Sequence, residues 1–139
     1  MKSYVLDTSV VVKWFSGGED DAGAAIELRR QMFDGLCTIV IPDLLFYELA
    51  NALRHNPSFT SRDVRESLDS LFNMGLDIRK VDGPVILRAI EIAFNFNVTV
   101  YDAYFLALSQ IEKKPFVTAD YKFIKLIKGF KGLIKLSEI

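Results

Sequence analysis

The sequence predicts one α/β domain built on a parallel sheet that helices cover on both faces. Short apolar segments of strand composition alternate along the chain with longer segments of helical periodicity. The apolar segments lack the polar alternation of half-exposed strands, and buried strands joined by crossover helices form parallel sheets. The 139 residues suit a single domain over 1–139, and no repeat or linker divides them.

The first half of the chain contains two strand–helix units and one further helix. Residues 3–6 are mainly apolar and end at Asp7-Thr8-Ser9, a run of helix N-cap residues. Gly17 and Gly18 then break the short helix that follows this strand. We predict strands over 3–6 and 38–41 and helices over 10–15, 20–34, 44–54 and 61–73, the last capped by Thr60 or Ser61.

The second half continues the alternation. Residues 97–100, Asn-Val-Thr-Val, have the β-branched composition of a strand and lead directly into a helical segment. We predict strands over 77–79, 97–100, 115–118 and 130–136, with helices over 84–94 and 102–111.

The composition excludes several kinds of site. The 17 basic and 18 acidic side chains nearly cancel, so the domain-wide positive charge of many nucleic-acid-binding proteins is absent. The single cysteine, Cys37, excludes an internal disulfide, and the single histidine, His55, excludes a histidine-rich metal site. Charged residues interrupt every apolar run before it reaches the length of a membrane span, so we expect a cytoplasmic protein.

Four acidic residues occupy positions typical of a ligand site. Asp7, Asp102 and Asp120 each follow a predicted strand, and ligands of parallel sheets bind outside the carboxyl ends of strands. Each of the three is equally suited to cap the helix that follows it. Glu48 differs, because it lies one turn into a helix among apolar neighbours and has no Lys or Arg within one turn.

The chemistry of these acids favours a hard metal ion. A buried carboxylate without a cationic partner is costly, and several converging carboxylates raise one another's pKa. Mg²⁺ and Mn²⁺ remove this repulsion, prefer oxygen ligands and are commonly completed by substrate phosphates.

Four segments, in order along the chain, resemble the motifs of PIN-domain nucleases. They are Val5-Leu6-Asp7-Thr8-Ser9-Val10; Pro42 with Leu44-Leu45, Glu48 and Asn51-Ala52-Leu53; Tyr101-Asp102-Ala103-Tyr104-Phe105 with Ala107-Leu108; and Val117-Thr118-Ala119-Asp120 with Phe123. The resemblance covers nearly the whole chain. Its third motif and the chain length are most similar to VapC-type toxins, the RNA-cleaving halves of prokaryotic toxin–antitoxin pairs.

The resemblance implies a three-layer α/β/α sandwich with a central, mainly parallel sheet. It also implies dependence on Mg²⁺ or Mn²⁺, a homodimer, and inhibition by a small antitoxin whose C-terminal part enters the active-site groove. We suggest the helices over 20–34 and 61–73 as contributors to the dimer surface. The residues it assigns are four catalytic and metal-binding acids and two supporting hydroxyls: Asp7, Glu48, Asp102, Asp120, Ser9 and Thr118.

The reaction we expect is hydrolysis of an RNA phosphodiester bond by a water bound to one or two metal ions, leaving a 5′-phosphate and a 3′-hydroxyl. Lysines crowd the C-terminal quarter, and Lys122 and Lys125 follow Asp120 closely enough to bind RNA phosphates, or else form a solvated helix face. The aromatic residues Trp14, Tyr104 and Phe105 fit core packing better than base stacking.

Two other classes of function remain open from the residues alone. A receiver-like phosphoacceptor domain shares the α/β order and the acids at strand ends, but it needs an acidic pair after its first strand, where this chain has Asp7-Thr8-Ser9. A non-catalytic binding module whose acids only cap helices is the second alternative.

Overall fold

A computed structural model describes residues 1–17 and 20–139 and contains a sheet of five parallel strands. The strands within these ranges are β1 (Lys2–Leu6), β2 (Cys37–Pro42), β3 (Asp77–Arg79), β4 (Phe116–Thr118) and β5 (Leu133–Lys135). Their order across the sheet is β3-β2-β1-β4-β5, and every neighbouring pair is parallel. The chain therefore moves outward from β1 in one direction and later outward from β4 in the other.

The helices fill the connections between the strands. Those in the described residues are α1 (Thr8–Val11), α2 (Lys13–Ser16), α3 (Ala22–Phe33), α4 (Leu44–Arg54), α5 (Ser61–Phe72), α6 (Gly83–Phe96), α7 (Val100–Glu112) and α8 (Tyr121–Leu126), with a final 3₁₀ turn (Leu136–Glu138). Because crossovers between parallel strands are right-handed in nearly all proteins, we expect α1–α5 on one face of the sheet and α6–α8 on the other. The predicted three-layer α/β/α sandwich is confirmed, and its sheet is wholly parallel.

The core lies on both faces of the central strands. Val5 and Leu6 of β1 and Val40 and Ile41 of β2 are fully buried, as the absence of polar alternation predicts. Helix α7 is buried along its whole middle, from Ala103 to Ser109, because it packs over β1, β2 and β4. No helix in the described ranges is long and apolar enough to cross a membrane.

One predicted strand is wrong. Residues 97–100 form no strand: Asn97 ends α6 in the left-handed conformation, and Thr99 is already the N-cap of α7. The Thr99 hydroxyl accepts a hydrogen bond from the Asp102 amide at 3.0 Å, which fixes the start of the helix. Local capping thus overrides the strand composition of these residues, and Asp102 lies in the first turn of a helix and not at a strand end.

Other differences concern boundaries. The predicted helix over 10–15 is two short helices, α1 and α2, and Gly17 follows them with φ 60°; Gly18 lies outside the described residues. The helix predicted over 20–34 begins only at Ala22, and the last strand is confined to Leu133–Lys135. The cap predicted at Thr60 or Ser61 is Thr60, in a reciprocal capping box with Asp63.

Candidate active site

Asp7 lies at the carboxyl end of β1 with both carboxylate oxygens engaged. The Ser9 hydroxyl donates to Oδ1 at 2.5 Å, and the Thr118 hydroxyl donates to Oδ2 at 2.5 Å. The side chain is only 9% exposed and makes no capping hydrogen bond to α1. The Asp7 carboxylate is therefore held by two side-chain hydroxyls and not by a capping hydrogen bond to α1, although Asp7 occupies the N-cap position.

The two hydroxyls also tie the end of β1 to the end of β4. Ser9 Oγ accepts the amide N–H of Ala119 at 2.9 Å, and Thr118 Oγ1 accepts that of Asp120 at 3.0 Å. The two strands are neighbours in the sheet, and the chain order reverses between them. Such a switch point leaves a crevice at the carboxyl edge where ligands of parallel sheets bind.

Glu48 reaches the same edge from α4. The side chain is half-buried, and the Thr8 hydroxyl donates to its Oε1 at 2.6 Å. Leu45, Leu49 and Leu53 on the inward side of the helix are fully buried, so Glu48 sits at the border of the core. The hydroxyl of Thr8 is thus the hydrogen-bond partner that the structure gives Glu48.

Asp102 and Asp120 approach from the other side of the sheet. Asp120 is the N-cap of α8 and accepts the Phe123 amide N–H on Oδ1 at 3.0 Å, so the capping interpretation is correct for this residue. Its second oxygen, Oδ2, remains for another ligand. Asp102 is half-buried in the first turn of α7, where the helix dipole favours a negative charge.

Electrostatic repulsion links the four acids in a row from Asp7 through Asp120 and Asp102 to Glu48. Burial, with a smaller contribution from the charge of Asp120, raises the pKa of Asp7 from 3.8 to about 7 against the lowering effect of its hydrogen bonds. Burial raises the pKa of Asp102, and so does the charge of Asp120. Burial also raises the pKa of Glu48, with the Asp102 charge adding to the effect. A cation bound among the four acids would lower the free-energy cost of ionising these carboxyls.

Asp102 and Asp120 line a cavity of about 290 Å³, together with Lys122 and the residues that join α6 to α7. No group of three or more His, Cys, Asp or Glu side chains within residues 1–17 and 20–139 is arranged to hold a metal ion directly. Mg²⁺ usually keeps several waters and takes one or two carboxylates together with substrate phosphates. Asp102 and Asp120 offer oxygen ligands and form no ion pair within the part of the chain that the structure describes, so the pair fits that mode of binding.

The structure gives different surroundings to the lysines and to the aromatic residues that the sequence offered as RNA contacts. Lys122 lines the cavity with Asp102 and Asp120, whereas Lys125 is exposed one turn further along α8. Trp14, Tyr104 and Phe105 are all buried, as core packing requires. Trp14 also donates its indole N–H to the Ala25 carbonyl at 2.8 Å, which fastens α2 to α3.

Sequence reasoning missed Thr8 and Thr99 as members of the site. Thr8 holds Glu48, and Thr99 lines the acid cavity while it caps α7. The position of Thr8 between Asp7 and Ser9 was a usable signal, because a hydroxyl beside a strand-end acid is placed to reach the same edge. The strand composition of residues 97–100 concealed the role of Thr99.

Solved structures with this fold come from several organisms. A toxin–antitoxin complex from Klebsiella pneumoniae matches with a TM-score of 0.69 and 16% identity, covering 98% of this chain and 99% of that one. VapBC2 from Rickettsia felis, bound to a DNA fragment from its promoter, gives 0.68, 20% identity and 96% coverage of both chains. The sarcin–ricin loop cleaving toxin VapC20 of Mycobacterium tuberculosis gives 0.68, 13% identity and coverage of 91% and 98%.

Family-level sequence comparison agrees with the fold. No curated protein matches the chain in sequence. The model of the PIN domain matches residues 4–128, which is most of the chain and includes the second half of β1, all of β4 and all four acids. This chain belongs to the PIN domain family.

Proposed function

We propose that this chain is a divalent-metal-dependent endoribonuclease and the toxin of a toxin–antitoxin pair. The observation that carries the proposal is the row of four acids at the switch point of the sheet. Within the described residues no Lys or Arg forms an ion pair with Asp7, Glu48, Asp102 or Asp120, although each is at least partly buried. Membership of a nuclease family supports the reaction class, and it sets the receiver-like alternative aside.

We propose that the four carboxylates hold one or two Mg²⁺ or Mn²⁺ ions, either directly or through the waters that such ions keep. When bound, such an ion supplies a water of lowered pKa and neutralises negative charge on the phosphate. The nucleophile is then a water, which agrees with the absence of a histidine partner for any hydroxyl: His55, the only histidine, is exposed at the end of α4 and bonds its ring to the Asn51 carbonyl.

The side chains around the acids orient them for this role. Ser9 and Thr118 hold Asp7 so that each carboxylate oxygen keeps one lone pair for a ligand. Thr8 fixes the rotamer of Glu48, and the start of α8 fixes Asp120 through one oxygen. An arrangement held by neighbours in this way loses little freedom when a cation and a phosphodiester bind.

The toxin role and the partners rest on likeness to toxin structures. The similar structures include a toxin–antitoxin complex, the VapBC2 assembly and a toxin that cleaves the sarcin–ricin loop. By that likeness we propose a small antitoxin as protein partner, RNA as substrate and a homodimer as the active assembly. Expression of this chain should arrest growth, and co-expression of a small protein encoded beside it should restore growth.

Cleavage of RNA by the purified protein tests the enzyme. The wild type should cleave single-stranded RNA with Mg²⁺ or Mn²⁺, and EDTA should stop it. Asp7→Asn and Glu48→Gln should each lower the rate at least 100-fold, since each removes charge that the ion requires. Asp69→Asn, an exposed acid on α5, is the matched control and should retain the wild-type rate.

Two results would contradict the proposal in different ways. Undiminished cleavage by Asp7→Asn would remove the acid row from the mechanism. A wild type that neither cleaves RNA nor binds Mn²⁺ in calorimetry would favour the non-catalytic binding module.

A further inference from the structure

Charge is unevenly divided between the C-terminal quarter and the rest of the chain. Residues 113–139 contain seven lysines and two acidic residues, a net charge of +5, whereas the whole chain has a net charge of −1. Residues 1–112 therefore carry −6. A nearly neutral protein thus contains a strongly basic segment, and that segment begins and ends beside the sheet edge formed by β4 and β5.

Six lysines of this segment, here called the lysine strip, are exposed and form no ion pair within the described part of the chain: Lys113, Lys122, Lys125, Lys128, Lys131 and Lys135. Four of the seven arginines, in contrast, are neutralised by ion pairs within the described residues. Arg30 pairs with Glu27 and Asp34, and Arg79 pairs with Glu112 and Asp77. The strip is therefore a surface whose positive charge is left for an external anion.

The lysine strip joins two places on the fold. Lys122 lines the cavity that also contains Asp102 and Asp120. Lys131 and Lys113, with the ion-paired Lys114, line a second cavity of about 580 Å³ at the amino ends of β4 and β5. Only the three residues of β4 separate the two ends of the sheet here, a distance of roughly 10 Å at about 3.3 Å per residue.

Edge strand β5 carries the strip between these cavities. Lys135 pairs in register with Thr118, whose hydroxyl holds Asp7, and Lys131 precedes the strand at its other end. Because β5 is the last strand of the sheet, its outer side has no neighbouring strand in the described ranges. Lys122 and Lys125, three residues apart on α8, add positive charge on one helix face at the acid end.

We infer that the lysine strip is the binding path of a single-stranded RNA backbone, running from the four acids along α8 and β5 to the Lys113–Lys131 cavity. The inference rests on the proposed ribonuclease function and names how the substrate is held. Lys122, at one end of the strip, lines the cavity that contains Asp102 and Asp120. An RNA backbone bound along the strip would therefore lead directly to the phosphodiester bond at the acids. At about 3.4 Å per phosphate in a helical strand, the path along β5 accommodates three or four phosphates.

RNA binding measured against salt tests the inference without any need for cleavage. The background is Asp7→Asn, and the probe is an unstructured RNA of about 12 nucleotides, within the usual site size of single-strand binding proteins. The Lys113→Ala/Lys131→Ala pair removes two charges from the strip. The Arg54→Ala/Arg65→Ala pair removes two exposed charges from α4 and α5 and is the matched control.

Each phosphate contact on a single strand contributes about 0.7 to the steepness with which log affinity falls against log salt. We therefore expect the slope to be shallower by about 1.4 in the lysine pair. The arginine pair should keep the parent slope. Equal slopes in the two pairs overturn the inference, and so does tighter binding of duplex DNA than of RNA.

The outcomes also separate this inference from the proposed function. If the wild type cleaves RNA while the lysine pair keeps the parent slope, the path is wrong and the enzyme stands. If the wild type fails to cleave RNA while the lysine pair lowers the slope, the enzyme is wrong and the strip stands as an RNA-binding surface.

Discussion

Replacing Asp7 with asparagine should stabilise the metal-free protein above neutral pH and change its stability little in acid. In the folded state the pKa of this carboxyl is about 7, against 3.8 for the ordinary side chain. The folded protein therefore holds the proton more tightly than the unfolded chain, and stability falls as pH rises between these two values. Asparagine does not titrate, so the free energy of unfolding of the variant does not fall with pH for this reason.

The size of the effect follows from the pKa values. A difference of about three units, at 1.36 kcal/mol each, lowers the free energy of unfolding of the wild type by roughly 4 kcal/mol between pH 4 and pH 8. At pH 4 the folded wild type keeps the Asp7 proton, so its neutral carboxyl, like the asparagine amide, has one carbonyl acceptor for the Ser9 and Thr118 hydroxyls. Asp7→Asn should therefore have nearly the wild-type stability at pH 4 and be about 4 kcal/mol more stable at pH 8.

Urea unfolding in EDTA between pH 4 and pH 8 measures this difference directly. Asp69→Asn, which removes an exposed acid from α5, is the control and should differ from the wild type by nearly the same amount at every pH. A difference between Asp7→Asn and the wild type that does not change with pH would show that the Asp7 carboxyl ionises normally. The electrostatic account of the acid row would then be wrong.

Two further predictions concern the acid cavity and α5. Mn²⁺ at 100 times its dissociation constant should raise the wild-type free energy of unfolding by about 2.7 kcal/mol, measured by urea unfolding with and without the ion. The gain should be smaller in Asp102→Asn, because that variant removes a carboxylate from the acid cavity. An equal gain in both proteins would show that the ion binds elsewhere. Thr60→Ala removes the hydroxyl that accepts the Asp63 amide N–H and should cost about 1 kcal/mol in urea, whereas Thr60→Ser should restore the bond and nearly all of the stability.

The sequence predicted the strand-end positions of Asp7 and Asp120 because local patterns determine them. Residues 3–6 and 115–118 are apolar segments that stop at a cap residue, and the sheet forms as expected around them. Residues 97–100 have the same β-branched composition, yet they occupy the connection between α6 and α7. Composition does not distinguish a strand from a capped helix start when the cap itself is a β-branched threonine.

The sequence was sufficient to predict which acids lie at the candidate site, but not which side chains form hydrogen bonds or ion pairs with one another. The apolar neighbours of Glu48 indicated a carboxylate at the border of the core, and the structure places it there. Its partner, Thr8, lies 40 residues away along the chain, and no local pattern reports such a pairing. The ion pair of Arg79 with Glu112, which joins β3 to α7, was equally invisible for the same reason.

The hydrogen bond between Thr118 and Asp7 joins residues 111 positions apart. Because β4 lies next to β1, Asp7 and Asp120 come together from residues far apart in the sequence, and a long loop must close before Thr118 can hold Asp7. A growing polypeptide that has left the ribosome only as far as α7 therefore carries three of the acids but not Thr118, Asp120 or the strand that supports them. If the protein is the ribonuclease proposed above, a nascent chain that stops before Thr118 and Asp120 lacks part of the site and is harmless to the messenger that encodes it.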